Sequence, residues 1–289
     1  MKLGRLLLND LVPVRIYAKL FSMSYLSRKR VKIPHFANLV DFLAWEKLEN
    51  EKGIIVNSLD YSLLSDLKDL MEKIGFMLLS SDNLQKSIMN HRNLMKLPLE
   101  ERFQKARESR KADRFKSDKY YLYNFIIYTK ASLDSIGVTL NSFFGLGFKR
   151  GQIDFGKWVF VRKIENYLND FKNFSQIYQE WIARIIEYRD AVIHQKSIDI
   201  YPSGRRWTRM IPLHPLSDAE LGELKEEYDT TSSKNKRRQI SKSLNLVNLD
   251  LFMKTSTNNI LAITGLLSAE ILRELKRKYP THKPSKTCY

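Results

Sequence analysis

The chain has 289 residues, 43% of them hydrophobic and 28% charged, which fits a folded soluble protein and excludes a disordered one. Lys and Arg outnumber Asp and Glu by 49 to 32, and the net charge of +17 draws polyanions, nucleic acid first; the plainer use of such charge is solubility. Its one cysteine, Cys288, excludes an internal disulfide framework and a cysteine-built zinc site, so a reducing, cytoplasmic setting is expected.

The apolar run Leu6-Leu7-Leu8 is interrupted at once by Asn9 and Asp10. It is too short for a signal peptide or a membrane span, so no membrane partner is expected. Residues 1–30 read as an amphipathic basic arm perturbed at Pro13, and a turn follows through Pro34. Phe36, Leu39, Phe42 and Leu43 recur at helical spacing up to a C-cap at Gly53. Asp60 to Met89 reads as one long helix or two stacked ones, on the period of Leu63, Leu67, Leu70, Ile74 and Leu78. Pro98 fits the first turn of a further helix. The charged stretch 104–119 marks either a boundary or a solvated helix.

Tyr120 to Phe144 is a strongly apolar central helix, with its tyrosines at 120, 121 and 123 expected in the core. Gly145-Leu146-Gly147 ends it. That glycine cluster follows a helix, lacks a Gly-Lys-Ser/Thr ending, and reads as a turn rather than a phosphate loop. Asn173 to Gln195 is the next helix, with Trp181, Ile185, Tyr188 and Val192 on its period. Ile198 to Tyr201 and Arg205 to Ile211 read as the strands of a small β-hairpin turning at Pro202-Ser203-Gly204. A short acidic helix from Ser217 to Tyr228, a basic cluster at Lys234–Arg238 and a long last helix from Asn248 to Tyr279 complete the pattern. The fold expected is mainly α, organised as an N-terminal helical region (1–110), a helical bundle with a small β-hairpin (111–280) and a tail (281–289).

Five histidines limit the chemistry: His35, His91, His194, His214 and His282. None sits in a His-Glu-x-x-His or His-x-Glu pattern, so neither a catalytic metal nor another cofactor is expected. An Arg five positions before a His occurs three times, at Arg30/His35, Arg189/His194 and Arg277/His282. The first and last intervals contain Pro34 and Pro280. Only Arg189/His194 closes an amphipathic helix, with polar Asp190 next to the arginine and apolar Ala191, Val192 and Ile193 before the histidine.

Arg189-Asp190-Ala191-Val192-Ile193-His194 resembles the signature of the HEPN superfamily, and the long helices before and after it agree. The likeness covers roughly residues 110–279. It implies a four- or five-helix bundle that forms a homodimer and brings two motifs together. Many such proteins are metal-independent ribonucleases of toxin–antitoxin, abortive-infection or CRISPR systems; others are inactive and bind nucleotides or partners. Carried over, Arg189 and His194 are the catalytic pair and Asp190 the orienting residue. RNA is then the expected substrate, and an antitoxin protein a candidate partner.

These residue types suit the reaction. RNA carries its own nucleophile, the 2′-hydroxyl. An imidazole titrates near neutrality and can take or give the protons, while a guanidinium stays cationic and can hold the crowded phosphorane. On a helix, Asp190 and His194 share a face with Glu187, whereas Arg189 points about 140° from His194. Glu187 either steadies the imidazole or lies in solvent. A purely structural helix end would pair Asp190 with His194 and lay Arg189 on a neighbouring helix.

Lys196, Arg205, Arg206 and Arg209, with Trp207 as a stacking platform, form a second candidate RNA-binding group on and beside the hairpin. The alternative is a solvated hairpin with Trp207 packed inward. The expected function is a metal-independent endoribonuclease giving 2′,3′-cyclic phosphate and 5′-hydroxyl ends. A non-cleaving binding module and a basic helical scaffold without a site are its rivals.

Overall fold

A computed structural model describes residues 39, 58–101, 104, 114–194, 198, 200–203, 208–215, 219, 222–223, 226–227, 230–233, 235–236 and 246–278. These residues are mainly helical. The long continuous elements are α1 (Ser58–Met95), α2 (Arg114–Phe144), α3 (Trp158–Tyr167), α4 (Phe174–Ile193), three short strands and α5 (Leu249–Lys278). The strands are β1 (Tyr201–Ser203), β2 (Thr208–Pro212) and β3 (Leu246–Asn248), in the order β1-β2-β3. Among the described residues no helix is long and apolar enough to cross a membrane.

The helices form where apolar residues recur every three or four positions. On α1, Leu63, Leu67, Leu70, Ile74, Met77, Leu84 and Ile88 are buried in one unbroken helix. α2 begins six residues before the expected Tyr120 and buries Leu122, Phe125, Ile126, Leu133, Ile136 and Leu140. It stops at Gly145, whose φ of 60° is a left-handed cap that a side chain would strain. Asn141 then clamps the following turn, accepting from the Phe148 amide at 2.9 Å and donating to its carbonyl at 3.1 Å. The glycine cluster is thus a helix stop, as its sequence suggests. Asn248 caps α5 by accepting from the Leu251 amide at 3.0 Å, and Lys276, Arg277 and Lys278 complement the dipole at its other end.

The described residues group into two units. One draws on 58–75, 132–174 and 260–278. Its core gathers Phe155 against Phe160 and Phe174, with ring centroids 5.4 Å and 5.1 Å apart. Gly137 leaves room for this packing, since a Cβ there would lie 3.0 Å from Ile153 Cγ2. The Asp170 carboxylate accepts twice from Arg273 at 2.8 Å, and its amide donates to Glu270.

The other unit draws on 76–131 and 175–259, and it contains the motif. Phe252 of α5 meets Tyr188 of α4 edge-on at 5.2 Å and Phe125 of α2 at 6.3 Å. Trp181 Nε1 donates to Ser256 Oγ at 2.9 Å inside this core. Phe76 of α1 stacks on Tyr128 of α2 at 5.1 Å.

The sheet belongs to the same unit and departs from the expected hairpin in two ways. Pro202 and Ser203, expected in the turn, are in β1 opposite Arg209 and Thr208. Proline is tolerated there because β1 is an edge strand. A third strand, β3, pairs with β2 through Ile211↔Val247 and runs straight into α5. The expected core role of Tyr120 is also corrected: it is 62% exposed, standing near the start of α2 against the half-buried Tyr121. Tyr123 is half-buried, and its hydroxyl accepts from the Ile198 amide at 3.3 Å.

Candidate functional site at the end of α4

The inward side of α4 decides what its end displays. Trp181, Ile182, Ile185, Tyr188 and Ala191 are buried, and their spacing turns Glu187, Asp190 and His194 toward the opposite side. Tyr188 is the anchor. It is fully buried, and its hydroxyl donates to the carbonyl of Pro212 at the end of β2. Burial pushes the pKa of that hydroxyl well above the usual tyrosine value, so it stays protonated and donating.

α4 ends at Ile193, and His194 sits in the turn that follows. The His194 amide still donates to the Asp190 carbonyl at 2.9 Å, so the histidine continues the helical register and is exposed. Arg189 and Asp190, both half-exposed, are joined directly: Arg189 Nη1 donates to Asp190 Oδ1 at 2.8 Å. The long arginine stem therefore carries its head sideways onto Asp190.

Glu187, Asp190, Ala191, His194 and Pro215 line a shallow hollow of about 190 Å³. Glu187 does hold an imidazole, but it is that of His214, whose Nδ1 lies 2.9 Å and 3.1 Å from the two carboxylate oxygens. His214 immediately precedes Pro215 of the hollow's wall. The hollow thus has two carboxylates, each with a basic side chain beside it: Asp190 with Arg189, and Glu187 with His214. Among the described residues, no three His, Cys, Asp or Glu side chains are grouped so as to hold a metal ion.

Of the second candidate group, only the strand position of Arg209 is described, opposite Pro202 in β2. Lys196, Arg205, Arg206 and Trp207 lie outside the described residues. His214 is the residue that sequence reading passed over. Its only local signal is the flanking Pro212 and Pro215, which stiffen the segment; its partner Glu187 is 27 positions away.

No protein-family model, curated protein or solved structure matches this chain.

Proposed function

We propose that this chain is a metal-independent endoribonuclease of the HEPN type, acting as a homodimer in toxin–antitoxin or phage-defence biology. One observation carries the reading: Asp190 and His194 line an open hollow, and the Arg189 guanidinium is held beside it by its bond to Asp190.

The chemistry runs in one displacement. The 2′-oxygen attacks phosphorus, forming the O2′–P bond as the P–O5′ bond breaks. The 2′ proton passes to a base, and an acid gives a proton to the departing 5′-oxygen. The products are a 2′,3′-cyclic phosphate and a 5′-hydroxyl, with no water consumed. Arg189 has five N–H donors, of which one is given to Asp190, so its fork can still meet the phosphorane oxygens. His194 is exposed at the hollow and supplies one proton carrier. The second carrier is either His194 of another copy or His214, held by Glu187 in the same chain.

The test is cleavage of a defined single-stranded RNA by the full chain in the presence of EDTA. His194→Ala lowers the rate by about 10²–10⁴-fold, the usual value of general acid–base catalysis. Undiminished cleavage by that variant removes the site assignment. Adding excess His194→Ala chains to wild type lowers activity out of proportion to dilution if His194 of two copies builds one site, and only in proportion if His214 is the second carrier.

The Arg189–Asp190 bond also favours a second reading. A guanidinium committed to its neighbour has fewer donors for a transition state, which suits a module that binds RNA, a nucleotide or a partner without turnover. RNA retention with no cyclic-phosphate product at any enzyme concentration selects that reading.

A further inference from the structure

α3 is short, ten residues, and its two sides differ sharply. Phe160, Val161 and Ile164 are buried, and Phe160 meets Phe148 and Phe155 edge-on, each at 5.4 Å. This fixes the helix on its core. The outward side keeps three large apolar residues in solvent: Trp158 is 55% exposed, Val159 71% and Tyr167 66%. Single exposed apolar side chains are ordinary, but here three stand on one ten-residue helix and two of them are aromatic.

The patch is patterned. Arg162 places its Cζ 4.5 Å from the centre of the Trp158 ring, and Lys163 places its Nζ 4.5 Å from that of Tyr167. More than half the surface of each aromatic residue nevertheless stays open. Lys149, Arg150, Lys157 and Lys172 are exposed on either side in sequence. The carboxylates of this stretch are engaged: Asp170 with Arg273, Asp154 with the Gly156 amide, and Glu165 half-buried with a partner of its own. Across residues 149–172 six lysines and arginines stand against three carboxylates, so positive charge is in excess around α3.

Two exposed rings, each with a cation on it, nine residues apart on one rigid helix, span about 13.5 Å along the axis. They sit at opposite flanks of the outward side, with Val159 and Asn166 between. A base can stack on the open part of each ring while the cations meet the phosphates that link the bases, the combination that holds single strands without regard to sequence. A duplex keeps its bases stacked on one another and cannot use the rings.

We propose that the outward side of α3 is a binding surface for single-stranded RNA, with Trp158 and Tyr167 as stacking platforms and Arg162 and Lys163 as phosphate contacts. It stands independently of the cleavage reading at α4, because binding here needs neither Arg189 nor His194.

The probe is fluorescein-labelled 2′-O-methyl oligouridylate, which lacks the 2′-hydroxyl nucleophile and reports binding alone. Anisotropy is followed with the full chain over a salt series. Trp158→Ala and Tyr167→Ala each weaken binding about tenfold, the value of one lost base stack, while Trp158→Phe keeps most of it. Arg162→Glu weakens binding further and makes the salt dependence shallower by about one phosphate. Circular dichroism verifies that each variant keeps the wild-type helix content, since only solvent-facing atoms change. The proposal is overturned if the Trp158→Ala/Tyr167→Ala double variant binds the strand as well as wild type. It is also overturned if a duplex of equal length binds α3 as tightly, or if these substitutions abolish only self-association or capture by phosphatidylserine vesicles. Failure of the cleavage reading alone, with His194→Ala cutting normally, leaves the anisotropy results intact.

Discussion

Tyr188→Phe is the sharpest probe of how the α4 end is held. The change removes one oxygen and leaves the ring, so its edge-on contact with Phe252 at 5.2 Å survives. What is lost is the hydrogen bond to the buried carbonyl of Pro212, two residues before His214. A neutral hydrogen bond contributes about 1 kcal/mol net, and a buried acceptor left with no partner raises the cost to about 3 kcal/mol. With a urea slope of about 3 kcal/mol per molar, the unfolding midpoint falls by about 0.3–1 M. Helix and strand content stay as in wild type. Because the same bond ties β2 to α4, the His214–Glu187 pair loosens as well. The side-chain resonances of His214 therefore shift in Tyr188→Phe, in a histidine-labelled NMR spectrum assigned by comparison with His214→Ala. A midpoint within about 0.1 M of wild type, together with unmoved His214 resonances, refutes the claim that this hydroxyl positions the site.

Other substitutions test the packing around it. Ser256→Ala strands the Trp181 indole N–H inside the core and costs about 1–3 kcal/mol, read as a lower denaturation midpoint. Two glycines on long helices respond in opposite directions. Gly75 has open space where a Cβ would go, so Gly75→Ala gains about 1 kcal/mol of helix propensity. Gly137→Val drives a branched side chain onto Ile153, Phe155 and Phe160 and loses about 1–3 kcal/mol; thermal melts of the two variants should move apart. Asp66 has its carboxyl pKa raised, first by burial and then by the neighbouring Asp69. A raised pKa means the folded state holds this proton more tightly than the unfolded chain does. The group's stabilisation is therefore present at acid pH and is lost as pH rises through the raised value. Asp66→Asn should melt higher than wild type at neutral pH, with the gap closing toward the ordinary carboxylate range.

The parts of the fold legible in sequence are those fixed by local physics. α2, α4 and α5 declare themselves because residues three and four apart must share a buried face, and Gly145 and Asn248 mark helix ends by conformational and capping preferences that need no distant partner. What sequence reading misses depends on distant partners. α3 is hard to read because its ten residues offer only three buried positions, Phe160, Val161 and Ile164, too few to establish a helical period. β3 has three residues and pairs with a strand more than thirty positions earlier, so nothing in Leu246-Val247-Asn248 alone distinguishes it from a loop. The turn assigned to Pro202 and Ser203 rests on composition, and an edge position removes the reason for excluding proline from a strand.

The site was half legible for the same reason. Helical angles group Glu187, Asp190 and His194, but they place Arg189 far from His194, so convergence needs a helix that ends between them, the long reach of the arginine stem, or a second copy. Arg189 has a stem long enough to swing its guanidinium onto Asp190, and the 2.8 Å bond shows where it goes. The angle between Cα positions therefore limits short side chains and not this one. Glu187 illustrates the converse. Its face is right, but its partner is set by where β2 delivers Pro212 to Pro215, and that is set in turn by the buried Tyr188 hydroxyl. An inward-facing residue that never reaches the hollow thus determines which imidazole Glu187 holds. Replacing Glu187 by Gln keeps the hydrogen bond and removes the charge, so it separates the two contributions: if alignment alone matters, cleavage is retained, and if the charge matters, cleavage falls while the denaturation midpoint stays where it is.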